Sequence, residues 1–250
     1  MTDEVLFAEN MKSLAGVRHG FFTRAWGNSW FSDGEGRREA LRARAKMSLF
    51  LGVPPERFVG CHQVHSPTVV TVTNPWPCEK APQADAIVTG EAAIALGILT
   101  ADCVPVLLAD SEARVIGAAH AGWRGAISGV LENTLEAMET LGAKRKRVQA
   151  ALGPCIWQRS YEVGPEFPAP FIAEDLENEK YFIPSQKGGH YQFDLPKYVV
   201  NKLKALGVSS IESSPADTFS DPELFFSHRY STLRGEKRAG SLVSAIVLMR

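Results

Sequence analysis

The sequence predicts an α+β fold built as a single domain over residues 1–250, on three observations. Short strand-like stretches cluster between residues 67 and 119. Helical segments lie between such clusters instead of following every strand. The closing stretch "GSLVSAIVLM" reads as a buried strand that returns to the main sheet. Regular βαβ alternation would interleave one amphipathic helix per strand, and this chain does not.

Taken in order, residues 37–51, "RREALRARAKMSLFL", carry Leu41, Ala45, Ser48 and Leu49 at helical spacing, with arginines on the other faces. Gly52 and the prolines at 54 and 55 stop that helix. Five β-type stretches follow: 67–73 "PTVVTVT", 84–89 "ADAIVT", 93–99 "AIALGIL", 104–109 "VPVLLA" and 114–119 "RVIGAA". A stronger helix is expected over 126–141, where Ile127, Val130, Leu131, Leu135, Met138 and Leu141 form one apolar stripe. Residues 148–152, "VQAAL", return to strand, and a proline-containing, loop-rich section follows. Asp194 then caps a helix with Pro196 in its first turn, ending at Gly207.

A chain of 250 residues, 45% hydrophobic, can bury a full core. Its formal charge of −1 gives no general attraction to nucleic acid or to an anionic membrane. The one dense basic run, Lys144 to Arg147, reads as a solvated surface turn. Asp102 and Asp110 interrupt the best apolar run, so no bilayer span is expected. The N-terminus lacks a cationic start followed by an apolar stretch, and Cys61, Cys78, Cys103 and Cys155 form no close pair. A cytoplasmic protein with reduced thiols is the expectation, which leaves cysteine free to serve as ligand or nucleophile.

Three segments place a reactive side chain at the edge of an apolar stretch: "CHQVHS" at 61–66, "LTADCVPVLLAD" at 99–110 and "AAHAGWRG" at 118–125. If the strands pair, His65, Cys103 and His120 meet in space as a His–Cys–His set. Those donors suit Zn²⁺ and leave a fourth position for water or substrate. His62 and His65 lie three apart and face opposite ways on an extended strand, so one ion does not take both. Other readings of the same residues stay open. Cys103 is then a small buried hydrophobe beside two satisfied histidines, or a nucleophile with His120 as its base.

In order, "QVHS", "TADCVPVLLAD", "AAHAGWRG", "LGPCI", "YEVG" and "FFSHR" resemble the YfiH-type laccase-domain family, from about His19 to the C-terminus. The resemblance implies an α+β fold with mixed β-sheets layered between helices. It also implies zinc at His65, Cys103 and His120. The implied activity is phosphorolysis of adenosine, inosine and methylthioadenosine, with adenosine deamination besides. Its partners are a purine nucleoside and phosphate. The chain departs from the family in three places. "AWGNSWFSDGEG" replaces a Gly-Gly-Val-Ser stretch after "FFTR", Asp217 and Thr218 replace a Cys-Thr pair, and Tyr230 replaces an arginine.

Under that activity Asp102 is the carboxylate nearest the set in sequence, either a proton carrier or a turn cap. Arg24, Arg124 and Arg229 sit at motif edges, where an arginine fork suits phosphate oxygens or an ordinary surface ion pair. Arg24 and Arg229 are the first choices. Trp123 either stacks on a purine or anchors the core. Rival readings are a copper-dependent, laccase-like polyphenol oxidoreductase, a metal-free cysteine hydrolase using Cys103 and His120, and a peptidoglycan-precursor editing factor. Six histidines are too few for a blue-copper centre plus a copper cluster. A single copper ion at the three donors remains compatible, since copper outcompetes zinc at many N/S sites.

Overall fold

The apolar runs between residues 84 and 121 form the middle of the molecule. A computed structural model describes residues 4–29, 35–236 and 240–250 of the chain. In chain order the first elements are β1 (Val5–Leu6), α1 (Glu9–Lys12), β2 (Val17–Phe22), α2 (Glu35–Leu51), β3 (Phe58–Val59) and β4 (Val69–Thr71). Then come β5 (Ala86–Thr89), β6 (Ala95–Thr100), β7 (Val104–Asp110) and β8 (Val115–Ala121). The helices α3 (Trp123–Ile127) and α4 (Val130–Thr140) precede β9 (Gln149–Leu152), β10 (Glu162–Val163) and α5 (Ala169–Glu174). The chain continues through β11 (Phe182–Pro184), β12 (Tyr191–Phe193), α6 (Leu195–Ala205), β13 (Ser210–Ser213), α7 (His228–Leu233) and β14 (Leu242–Leu248).

Among the described residues the strands form three sheets, in the orders β1-β2-β14-β6-β3, β13-β9-β7-β8-β5-β4 and β10-β12-β11. Pairs β3/β6, β4/β5 and β9/β13 run parallel, and the others are antiparallel. The larger two sheets are therefore mixed. β14 does return to a central place, paired with β2 on one side and β6 on the other.

Alternation along the strands sorts side chains into layers. Val243, Ala245 and Val247 of β14 pack with Met47 and Leu51 of α2. Ile246 and Leu248 turn the other way, with Leu96 and Ile98, onto Ile87, Leu107 and Ile116 of the second sheet. On its far face Val88, Val106 and Ala119 meet Leu131, Leu135 and Met138 of α4 and Tyr198 of α6. The result is helix, sheet, sheet, helix, the layered α+β arrangement expected. Shortening a fully buried residue between the sheets, such as Leu107, to alanine is expected to cost about 2–5 kcal/mol.

Three sequence expectations need correction. The packed face of α2 is not the one marked by Leu41 and Leu49, which are exposed. Ala43, Met47 and Leu51 turn inward, and Arg44 goes with them because its guanidinium lies over the Phe58 ring. The helix over 126–141 is two helices, because Gly129 adopts φ +97°, outside any right-handed helix. The apolar stripe survives because α4 carries most of it. The loop-rich section also holds α5 and the small sheet, whose strands of two or three residues are too short to show a period. Other elements follow the reading closely: Asp194 accepts a hydrogen bond from the Lys197 amide and caps α6 (3.1 Å). The basic run is a turn, but Arg147 closes it by forking onto the buried Asp110. Of the divergent stretch 25–36, residues 30–34 lie outside the described residues. No helix among the described residues is long and apolar enough to cross a membrane.

Candidate metal centre

Three chain breaks converge at one end of the second sheet. His65 lies in the loop between β3 and β4, with its backbone at φ +62°. Cys103 closes the bend between β6 and β7, just after Asp102 at φ +93°. Such left-handed conformations cost non-glycine residues about 1–3 kcal/mol and persist only where the surroundings hold them. His120 is the penultimate residue of β8, opposite Pro105 of β7.

The ligand atoms of these three residues all lie within 4.8 Å of one another. Cys103 Sγ is 3.9 Å from His65 Nε2. The two imidazoles meet edge to face, with centroids 4.7 Å apart. A tetrahedral zinc site with Zn–N of about 2.0–2.1 Å and Zn–S of about 2.3 Å needs donors spaced on this scale. The donor set and its spacing fit the ion. His65 is exposed, Cys103 half-buried and His120 buried, so the group opens to solvent on one side.

Electrostatics around the group are set by a residue the sequence reading missed. Asp85 is fully buried just before β5. Its Oδ1 accepts from His120 Nδ1 at 2.8 Å and from the His65 amide at 2.9 Å. Its Oδ2 accepts from the Ser66 amide and hydroxyl and the Val64 amide, at 2.6, 3.0 and 3.1 Å. Burial alone would raise its pKa, yet the His120 and backbone hydrogen bonds hold the carboxyl below the usual range. A carboxylate only accepts, so Nδ1 of His120 carries the proton and Nε2 is left for the site.

Burial likewise opposes a thiolate at Cys103, but His120 and His65 beside it bring the thiol's pKa down. Burial would discharge His120, and the Cys103 sulfur and Asp85 raise its pKa instead. Without metal, Cys103 and His120 each favour the other's charged form.

The three donors line a cavity of about 490 Å³. Trp123, Arg124, Tyr161, Asp102, His228 and Arg229 supply other parts of its wall. Trp123 both lines the cavity and packs on Phe167, with centroids 4.9 Å apart. Arg229 lies over the Tyr161 ring at 5.5 Å and donates to the Glu162 carbonyl at 2.8 Å. Asp102 accepts from the Thr218 hydroxyl and the Arg229 amide, both at 2.7 Å. It thus caps the first turn of α7.

Arg24 is not among the residues lining the cavity. It is exposed, donates to the Pro222 carbonyl at 2.8 Å and sits over Phe226. Arg124, ranked behind it in the sequence, does line the wall, over the Trp123 ring at 4.4 Å. Asp217 also acquires a clear task. Its carboxylate accepts from Ser160, Ser220 and Arg159, joining the loop that carries Tyr161 to the segment that carries Thr218. His62 lines the cavity but lies outside the three-donor group.

The chain is similar to known proteins along nearly its whole length. A purine nucleoside phosphorylase of Rickettsia conorii is 41% identical, covering 67% of this chain and 69% of its own length. A purine nucleoside phosphorylase of Streptomyces coelicolor is 40% identical over 80% of each chain. The crystal structure of a Neisseria meningitidis protein superposes over 100% of both chains, with TM-score 0.86 and 28% identity. That of Bacillus licheniformis YfiH covers 99% of this chain and 97% of its own, with TM-score 0.88 and 25% identity. The family described as multi-copper polyphenol oxidoreductase laccase matches residues 14–249, and the chain belongs to it.

Proposed function

We propose that the chain is a zinc-dependent purine nucleoside phosphorylase acting on adenosine, inosine and methylthioadenosine, with adenosine deamination as a side activity. The observation that carries this reading is a three-donor group on the wall of an open cavity that also holds an aromatic face and an arginine. The relatives named purine nucleoside phosphorylase support the substrate class.

His65, Cys103 and His120 would hold the ion. When bound there, zinc supplies a Lewis acid. The chain's own residues do the rest. Trp123 offers a flat face for the purine. The Arg229 guanidinium, steadied by Glu162 and Tyr161, offers a fork for phosphate oxygens. A phosphate oxygen then bonds to C1′ of the ribose as the bond from C1′ to the base breaks. The electron pair leaves with the purine, which takes up the proton that hydrogen phosphate gives up, and ribose 1-phosphate remains. Asp102 has both oxygens engaged, so it acts by fixing Arg229 and the Cys103 bend.

One observation favours a second reading. Cys103 and His120 lie together with each favouring the other's charged form, the arrangement of a metal-free cysteine hydrolase dyad. The two readings separate cleanly. Protein purified without added metal is expected to contain about one zinc per chain and to release hypoxanthine from inosine only with phosphate present. His65→Ala loses both. Base release without phosphate, or activity that survives a chelator, overturns the proposal.

A further inference from the structure

We propose that Asp85 is the positioning residue of this centre, one carboxylate that aims both histidines at a shared ion; the inference rests on the metal reading above. His65 and His120 come from segments 55 residues apart and have no covalent reason to keep register. Both hydrogen-bond the same oxygen of Asp85, one through its backbone amide and the other through its ring. The main-chain carbonyl of Asp85 accepts from the His120 amide as well, at 2.7 Å. Asp85 therefore grips His120 at two points.

Asp85 is fully buried and does not line the cavity, so it touches neither substrate nor solvent. Its effect passes through the histidines. Holding Nδ1–H of His120 selects the tautomer whose Nε2 is free to donate to a cation. Taking the amides of residues 64, 65 and 66 wraps that loop around a single charge and keeps His65 in its left-handed conformation. The Ser66 hydroxyl adds a further bond on Oδ2.

An asparagine is nearly the same size but has one acceptor oxygen. Its amide group would face either the His120 N–H or the amides of Val64 and Ser66, donor against donor. Either way one ligand loses its support while the packing around position 85 is kept.

Zinc and cobalt titrations of the full chain, wild type against Asp85→Asn, test this. Circular dichroism and a thermal melt serve as the check on folding. The expected result is a folded variant whose zinc affinity, by competition with a chromophoric chelator, falls about 10–100-fold. The sulfur-to-cobalt charge-transfer band of the cobalt-loaded variant weakens or shifts. A lower melting temperature with affinity and band unchanged makes Asp85 a loop staple only, and overturns the inference. If Asp85→Asn does not fold, Ser66→Ala removes one bond to the carboxylate at a half-buried site. A fall of several-fold in its zinc affinity supports the inference and no change overturns it. Wild-type protein that binds neither metal would instead overturn the metal reading itself, and this inference with it.

Discussion

A Cβ placed on Gly122 would stand 3.0 Å from the Cys103 sulfur and 2.8 Å from Cδ2 of His65. Gly122 has φ −71° and ψ 161°, which any residue adopts, so its need for glycine is one of space and not of backbone freedom. The clash in Gly122→Ala is most cheaply relieved by swinging the His65 ring aside. The expected outcome is a melting temperature close to wild type with metal content and activity lost, read by elemental analysis beside a thermal melt.

Cysteine chemistry gives an independent check on the centre. Cys103 has a lowered pKa, while burial pushes the Cys61 thiol up to about 12 and raises Cys155 well above its usual value. Of these three thiols, Cys103 is the one favoured as thiolate, the reactive form, at pH 7. Iodoacetamide is expected to label Cys103 before Cys61 and Cys155 in metal-stripped protein, and zinc to suppress that labelling. Peptide mass mapping reads both, and equal labelling with and without zinc would count against ligation.

The arginines divide by position. Arg229→Ala removes one of the two guanidinium groups on the cavity wall, the one held by Glu162, and is expected to lower kcat/KM for inosine by roughly 10–100-fold, mostly through phosphate saturation. Arg24→Ala, whose side chain faces Pro222 and Phe226, is expected to lose far less. Steady-state kinetics with phosphate as the varied substrate separate them, and the reverse ranking would return Arg24 to the site.

Far from the cavity, His19 predicts an acid limb in stability. Its Nε2 accepts from the Ala8 amide at 2.9 Å inside the β1–α1 corner, and burial lowers its pKa from 6.5 to about 4. The unfolded chain therefore binds a proton that the folded chain refuses. This contribution is complete above pH 6.5, declines as pH falls and is gone below about 4, amounting to roughly 2–3 kcal/mol. Urea melts across that range are expected to show the slope, and His19→Gln, which keeps an acceptor, to flatten it.

The fold was legible where periodicity is strong and local. The largely apolar runs at 84–89, 104–109 and 114–119 announced β5, β7 and β8, which are buried on both faces. The helix break at Gly129 was not, since a stripe of apolar residues continues through it. His65, Cys103 and His120 stood out as reactive side chains at the edges of apolar stretches, but only the resemblance of their motifs favoured the metal set over its rivals, because ligands from separate segments leave no spacing rule. Asp85 could not be found this way. One aspartate before an apolar run looks like any strand-end residue until its five donors are seen together. Arg24, a first choice in the sequence, does not line the cavity, for a related reason: a motif edge says which residue is near a feature, not which way its side chain turns.

The pairing of β2 with β14 joins segments separated by more than 200 residues. Until β14 arrives, β2 and β6 each present a bare, apolar edge with no hydrogen-bonding neighbour on that side. Assembly must therefore wait for a distant partner, which makes folding slow and the waiting intermediate prone to stick to its own kind. The expected outcome is a larger insoluble fraction on rapid expression and a smaller one when synthesis is slowed at low temperature.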